Sequence, residues 1–151
     1  MKDRLSRLPT VYRDDAIFFI TSNTHQQQKT LATESIHRSF EGFCRKAIDH
    51  QIFVGRYVIM PDHLHLFVCF ADPRKLPLWI KSMKNALSKT LREQGTLAPH
   101  WQKGYFDHIL RNESSYEEKW AYVHLNPVRQ KLVGNAEGWR FQGEITPLGF
   151  N

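Results

Sequence analysis

Two cysteines in 151 residues, no long hydrophobic run and no repeat set the first limits on this chain. Cys44 and Cys69 lack CxxC spacing and lie in apolar segments, which excludes a disulfide-stapled secreted scaffold and predicts two reduced thiols in the cytoplasm. No apolar stretch approaches the ~18 residues of a membrane helix, and the charged segment Met1 to Tyr12 has no apolar leader core, so neither membrane insertion nor export is expected. Acidic residues are too few to balance the basic ones, 15 against 21, and the net charge of +6 favours a polyanionic partner. Nucleic acid ranks ahead of a membrane surface, because no segment joins a basic face to a broad apolar one. What is present, 41% hydrophobic and 13% aromatic residues, suffices for one domain over 1–151 with a core that needs no metal or disulfide.

Strand-like and helix-like segments alternate. Ala16 to Thr24 is rich in β-branched and aromatic residues and reads as a strand. Thr33 to His50 reads as a helix with Thr33 or Ser35 as cap and Ile36, Phe40, Phe43, Cys44, Ala47 and Ile48 as its apolar stripe. Ile52 to Met60 is a second strand, turned at Pro61-Asp62 into a third, His63 to Phe70, as an antiparallel hairpin. A helix over Leu78 to Gln94 follows, with Leu78, Ile80, Met83, Leu87 and Leu91 apolar. Tyr105 to Arg111 is the fourth strand, and a third helix runs from Ser114 or Ser115 to about Asn126. The order β-α-β-β-α-β-α predicts an α+β fold, a ferredoxin-like split βαβ antiparallel sheet with helices, plus an added C-terminal helix.

Chemistry concentrates in the third strand. Alternate side chains of a strand share a face, so His63 and His65 project together as a pair of imidazole ligands, while Leu64, Leu66, Val68 and Phe70 form the opposite, apolar face. Two strand histidines bonded to their neighbours fit the same pattern. On the second helix, Lys81, Lys84, Lys89 and Arg92 form a basic face, either a phosphate surface or a solvated one.

On the third helix, Tyr116, Trp120 and Val123 fall within about 60° of one another and make the core stripe. Tyr122 lies about 160° from Trp120, on a polar face with Glu118 and Lys119, and i to i+4 spacing brings Asn126 beside it. Pro127 ends this helix and opens another at its first position. Tyr105 and Tyr116 read as core, and His108 and His124 as structural or surface residues.

Four stretches together resemble a known family: Val58-Ile59-Met60-Pro61-Asp62-His63-Leu64-His65-Leu66, Trp101-Gln102-Lys103-Gly104-Tyr105-Phe106-Asp107-His108, Arg111-Asn112 with Tyr116, and Ala121-Tyr122-Val123-His124-Leu125-Asn126-Pro127-Val128 with Leu132-Val133. His63-Leu64-His65 resembles the HUH motif of the IS200/IS605-type single-tyrosine transposases, and the chain is similar above all to their relatives, the REP-associated tyrosine transposases. The resemblance implies an endonuclease and strand transferase on single-stranded DNA with a stem-loop. Tyr122 would be the nucleophile that forms a 5′-phosphotyrosine, and His63, His65 and Asn126 would hold one Mg²⁺ or Mn²⁺. It leaves homodimer and monomer both open. Trp139-Arg140-Phe141 departs from the family's usual ending. Zinc remains the alternative metal, and a non-catalytic DNA-binding regulator or a water-using metal nuclease the alternative functions.

Overall fold

The computed structural model describes residues 16–150 together with the backbone of 11–13. The charged N-terminal stretch before Val11, on which the absence of a leader was read, lies outside the described residues.

A central antiparallel sheet of five strands organises the chain, in the order β5-β2-β4-β3-β6. These are β2 Ile17–Asn23, β3 Ile52–Ile59, β4 His63–Phe70, β5 Phe106–Leu110 and β6 Gln142–Glu144. The four strands expected from the sequence take the split βαβ arrangement, with β4 between β2 and β3. Helices α1 (Glu34–Ala47) and α2 (Leu76–Glu93) cover one face. Helix α3 (Glu113–His124) and the one-turn α4 (Asn126–Arg129) belong to the other. A parallel pair, β1 (Val11–Arg13) with β7 (Leu148–Phe150), completes the chain.

Strand alternation explains the two layers. Leu64, Leu66, Val68 and Phe70 of β4 join Ile36, Phe40, Met83, Leu87 and Leu91 in the larger core, whereas Phe67 and Cys69 face Tyr116 and Leu148 on the other side. Cys44 and Cys69 are therefore separated by the sheet. Thr33 caps α1, its hydroxyl accepting from the Ile36 backbone N–H at 3.2 Å. Between α1 and β3, the Tyr57 hydroxyl donates to Glu41 at 3.0 Å and lies 2.7 Å from His37 Nε2. Burial, then Glu41, pushes the Tyr57 phenol well above its ordinary pKa.

Several expectations are corrected. Helix α2 starts at Leu76 rather than Leu78, and Leu78 is 70% exposed; it lies roughly 140–220° round the helix from Ile80, Met83, Leu87 and Leu91, while Leu76 and Trp79 take the inward places. Strand β5 begins at Phe106, not Tyr105, and as an edge strand it leaves Phe106 to Ile109 exposed. Asn112, not a serine, caps α3, accepting from the Ser115 N–H at 2.8 Å. The helix ends at His124, and Asn126 opens α4.

Two features were absent from the sequence reading. The tail adds β6 beside β3, and the indole of Trp139 donates to the Ile59 carbonyl at 3.0 Å. Strand β3 also carries a bulge, because its pairing with β4 skips from Val54 opposite Val68 to Tyr57 opposite Leu66. One extra residue there reverses the alternation, sending Tyr57 to the helical core and Arg56 to the rings of Tyr116 and Trp120.

Candidate active site

The central position of β4 sets the histidines. His65 pairs with Thr21 on β2 and Val58 on β3, and His63 with Asn23, so both imidazoles stand on the sheet face away from α1 and α2. Their ring centroids are 4.6 Å apart. Each has one nitrogen tied down: Asp62 Oδ1 lies 2.7 Å from His63 Nδ1, and Thr21 Oγ1 lies 2.8 Å from His65 Nδ1. Phe19 stacks on His65 at 5.2 Å. Asp62 is itself anchored, its backbone carbonyl accepting from the N–H and hydroxyl of Thr24, both at 3.0 Å.

The break between α3 and α4 delivers the third group. Asn126 is 8% exposed, and its Oδ1 lies 2.9 Å from His63 Nε2. His63 thus faces a carboxylate oxygen at Nδ1 and an amide oxygen at Nε2; in the tautomer with its proton on Nδ1, the Nε2 lone pair and the amide oxygen are two converging electron donors that a cation between them would satisfy. His65 is held at a pKa of about 3, first by burial, then by the charges of His63, Arg129 and Lys119, with a hydrogen bond donated by the imidazole to Asn126 pulling the other way. It is therefore the neutral imidazole that a metal ligand must be. Asp62 and Thr21 orient the rings as partners of metal-bound histidines do. Among the described residues no three His, Cys, Asp or Glu side chains gather, so a metal here would rest on two imidazoles and an amide oxygen. That set is poorer than the sulfur-rich and imidazole-rich sets of structural zinc, and it suits a single Mg²⁺ or Mn²⁺ with open positions for an anion.

Tyr122 stands at the rim. It is 64% exposed, and among the described residues no hydrogen bond joins its hydroxyl to either histidine. The Arg129 guanidinium carbon lies 3.8 Å from its ring centroid. With Ser115, Glu118 and Lys119 of α3 and His108 and Leu110 of β5, Tyr122 lines a cleft of about 280 Å³. Tyr116 is buried against Phe67, and its phenol is pushed above the ordinary range by burial.

The structure thus brings His63, His65 and Asn126 together and puts Tyr122 on the surface, one turn of helix before Asn126, while the basic face of α2 lies elsewhere. Lys81, Lys84, Lys89 and Arg92 belong to the helix that covers the opposite face of the sheet. The ammonium of Lys84 donates to the carbonyls of Gln102 and Gly104 and holds that loop, and burial lowers its pKa. The cations at the histidine face are Lys119, 5.2 Å from the Phe19 ring, and Arg129; both charges are felt at His65. Sequence reasoning gave neither a role, though Lys119 sits one turn before Tyr122 and Arg129 closes the turn that Pro127 opens. His108, read as peripheral, forms part of the cleft wall, and His124 packs on Trp120 and pairs with Glu137 at 3.2 Å. No helix among the described residues is long and apolar enough to cross a membrane.

Comparison with known proteins agrees with this architecture. The REP-associated tyrosine transposase of Escherichia coli K12 is 21% identical over 137 residues, spanning 91% of this chain and 81% of that protein. A REP-associated tyrosine transposase solved in complex with a REP hairpin shares the fold, with a TM-score of 0.71 at 19% identity over 89% of this chain and 79% of that one. The family model described as "Transposase IS200 like" matches residues 16–126, most of the sheet and all of α1 to α3. The chain therefore belongs to the IS200-like family of transposases, a family of enzymes.

Proposed function

We propose that this chain cleaves and rejoins single-stranded DNA at or near REP-like stem-loops through a 5′-phosphotyrosine on Tyr122, with His63, His65 and Asn126 as ligands of one Mg²⁺ or Mn²⁺. The observation that carries this reading is the convergence of two oriented imidazoles and a buried amide oxygen, supplied from a point four residues beyond an exposed tyrosine. The DNA hairpin held by the related solved transposase supports the substrate class.

The tyrosine oxygen attacks the scissile phosphorus, the bond to the 3′ oxygen breaks, the phenolic proton is lost, and the released strand ends in a protonated 3′-OH. Phenolate is a good leaving group, so a 3′-OH can reverse the step and rejoin the strand. A bound divalent ion would polarise the phosphate oxygens. Thr21 and Asp62 keep the imidazoles aimed, and Lys119 supplies positive charge at the face where the phosphate must lie. Attack by a tyrosine fixed on a helix needs a strand free of its complement, with a hairpin alongside to set the register.

Incubation with labelled stem-loop DNA and Mn²⁺ should yield a protein–DNA adduct stable on a denaturing gel, absent with Tyr122→Phe and absent with the same sequence as perfect duplex. Cleavage without an adduct would favour the water-using nuclease, and binding without cleavage the regulator.

A further inference from the structure

The side chain that restrains Tyr122 comes from the turn that follows it. Helix α4 is seated by buried Asn126 and Pro127, and the Arg129 N–H donates to the Leu125 carbonyl at 2.9 Å, which fixes the base of the side chain. From there the guanidinium runs back over α3. Its Nη1 donates to the Tyr122 carbonyl at 2.6 Å, and its carbon sits 3.8 Å from the Tyr122 ring centroid, against 5.2 to 5.8 Å for the other cation–ring contacts. A bond to a last-turn carbonyl alone would be an ordinary helix cap. The close stack on an exposed ring, at the edge of the histidine face, is a different arrangement.

We propose that Arg129 is the positioning residue for Tyr122 and that its remaining N–H groups receive the scissile phosphate of single-stranded DNA between the tyrosine and the histidine pair. Two properties of the site support this. First, Tyr122 is 64% exposed, and among the described residues its ring has no other stacking partner, so without the guanidinium it is free to sample several rotamers. Second, Arg129 lies three residues beyond Asn126, whose Oδ1 is 2.9 Å from His63 Nε2, so one short turn carries both the restraint on the tyrosine and a contact to the histidine pair. A guanidinium offers five N–H groups in a planar fork, and only one is engaged with the Tyr122 carbonyl. Lysine would keep the charge and lose the fork.

The proposal rests on Tyr122 as the nucleophile, so the test separates the two ideas. Single-turnover adduct formation at saturating stem-loop DNA and Mn²⁺ is measured for wild type, Arg129→Lys and Arg129→Gln. DNA affinity is measured in a Tyr122→Phe background with and without Arg129→Gln, and ring mobility of Tyr122 is followed by NMR of ¹³C-labelled tyrosine in DNA-free protein. Arg129→Gln should slow the saturated rate on the order of 100-fold, as a misplaced nucleophile does, a loss larger than the weakening of DNA affinity that one lost phosphate contact brings. Arg129→Lys should fall between, and the Tyr122 ring should gain mobility in the glutamine variant. A wild-type saturated rate in Arg129→Gln, or a loss accounted for by weaker DNA binding, overturns the proposal. Should the glutamine variant fail to fold, Arg129→Lys decides: a wild-type rate overturns the proposal, and about a tenfold loss with normal affinity supports it. If wild-type protein forms no adduct, the nucleophile reading fails, and unchanged ring mobility in Arg129→Gln would remove the positioning role as well.

Discussion

Acidification should destabilise this protein through one imidazole. His65 has a pKa of about 3 in the folded chain because it is buried among Thr21, Phe19 and His63, with Arg129 and Lys119 adding positive charge. In the unfolded chain it returns to about 6.5. The folded pKa is the lower one, so below pH 6.5 the unfolded state takes up a proton that the native state refuses. The stability contribution is complete above pH 6.5 and is lost as pH falls from there towards 3. At pH 5.5 the unfolded form gains about RT ln 11, or ~1.4 kcal/mol, and each further unit costs about as much until the folded pKa is reached. Urea unfolding with EDTA present, at pH 7.5 and 5.5, measures this directly for wild type and His65→Gln. Groups common to both proteins cancel in the comparison, so the wild type should lose about 1.4 kcal/mol more than the variant. If the two lose equal stability, His65 is not held neutral by the fold, and its readiness to bind a metal loses its support.

The two helix tyrosines should separate cleanly. Tyr122→Phe should eliminate the adduct and change unfolding free energy by less than about 0.5 kcal/mol, since the side chain is exposed and its hydroxyl unpartnered among the described residues; a large stability loss would contradict this placement. Tyr116→Phe should leave cleavage intact and be neutral or stabilising in thermal melts, because its buried hydroxyl has no partner among the described residues. Gly143→Ala should destabilise by about 1–3 kcal/mol, as the added Cβ would sit 2.7 Å from the Tyr57 hydroxyl; an unchanged denaturation midpoint would show that the polar knot with Glu41 and His37 yields easily. Lys119→Ala should flatten the dependence of DNA affinity on salt by about 0.7 in log–log slope, as loss of one phosphate contact requires, and an unaltered slope would remove Lys119 from the DNA surface.

The sequence was informative where periodicity and chemistry coincide. Alternation in β4 correctly separated Leu64, Leu66, Val68 and Phe70 from His63 and His65, because a central strand flanked on both sides has little freedom in register. Helical spacing likewise marked Tyr116 as core and Tyr122 as exposed. Continuing the helix through Asn126 would have left that residue on the polar face, but the stop at Leu125 turns its amide inward to His63. Charge counting drew attention to α2, where cations recur at helical spacing, and passed over Arg129, whose position depends on a four-residue helix too short to leave a periodic signal. The tail strands were equally invisible: β6 and β7 have three residues each, below the length at which alternation can be recognised.

The bulge at Gly55-Arg56 acts as a phase change in the middle of β3. Before it, the alternation is set by Ile52 and Val54 packing under α1; after it, by Val58 and Met60 packing under Val123 and leading into the turn before His63. Each half of the strand obeys a different layer, and the extra residue lets both be right at once. The same residues paired without the bulge would have to choose: keeping Ile52 and Val54 in the helical core would swing Tyr57 out to the histidine face and turn Arg56 into that core, while keeping the far end would invert Ile52 and Val54. Leu148, 2.7 Å from where a Gly55 Cβ would stand, closes over this point from the tail. The C-terminal segment therefore packs against the bulge on which the orientation of the histidine hairpin depends.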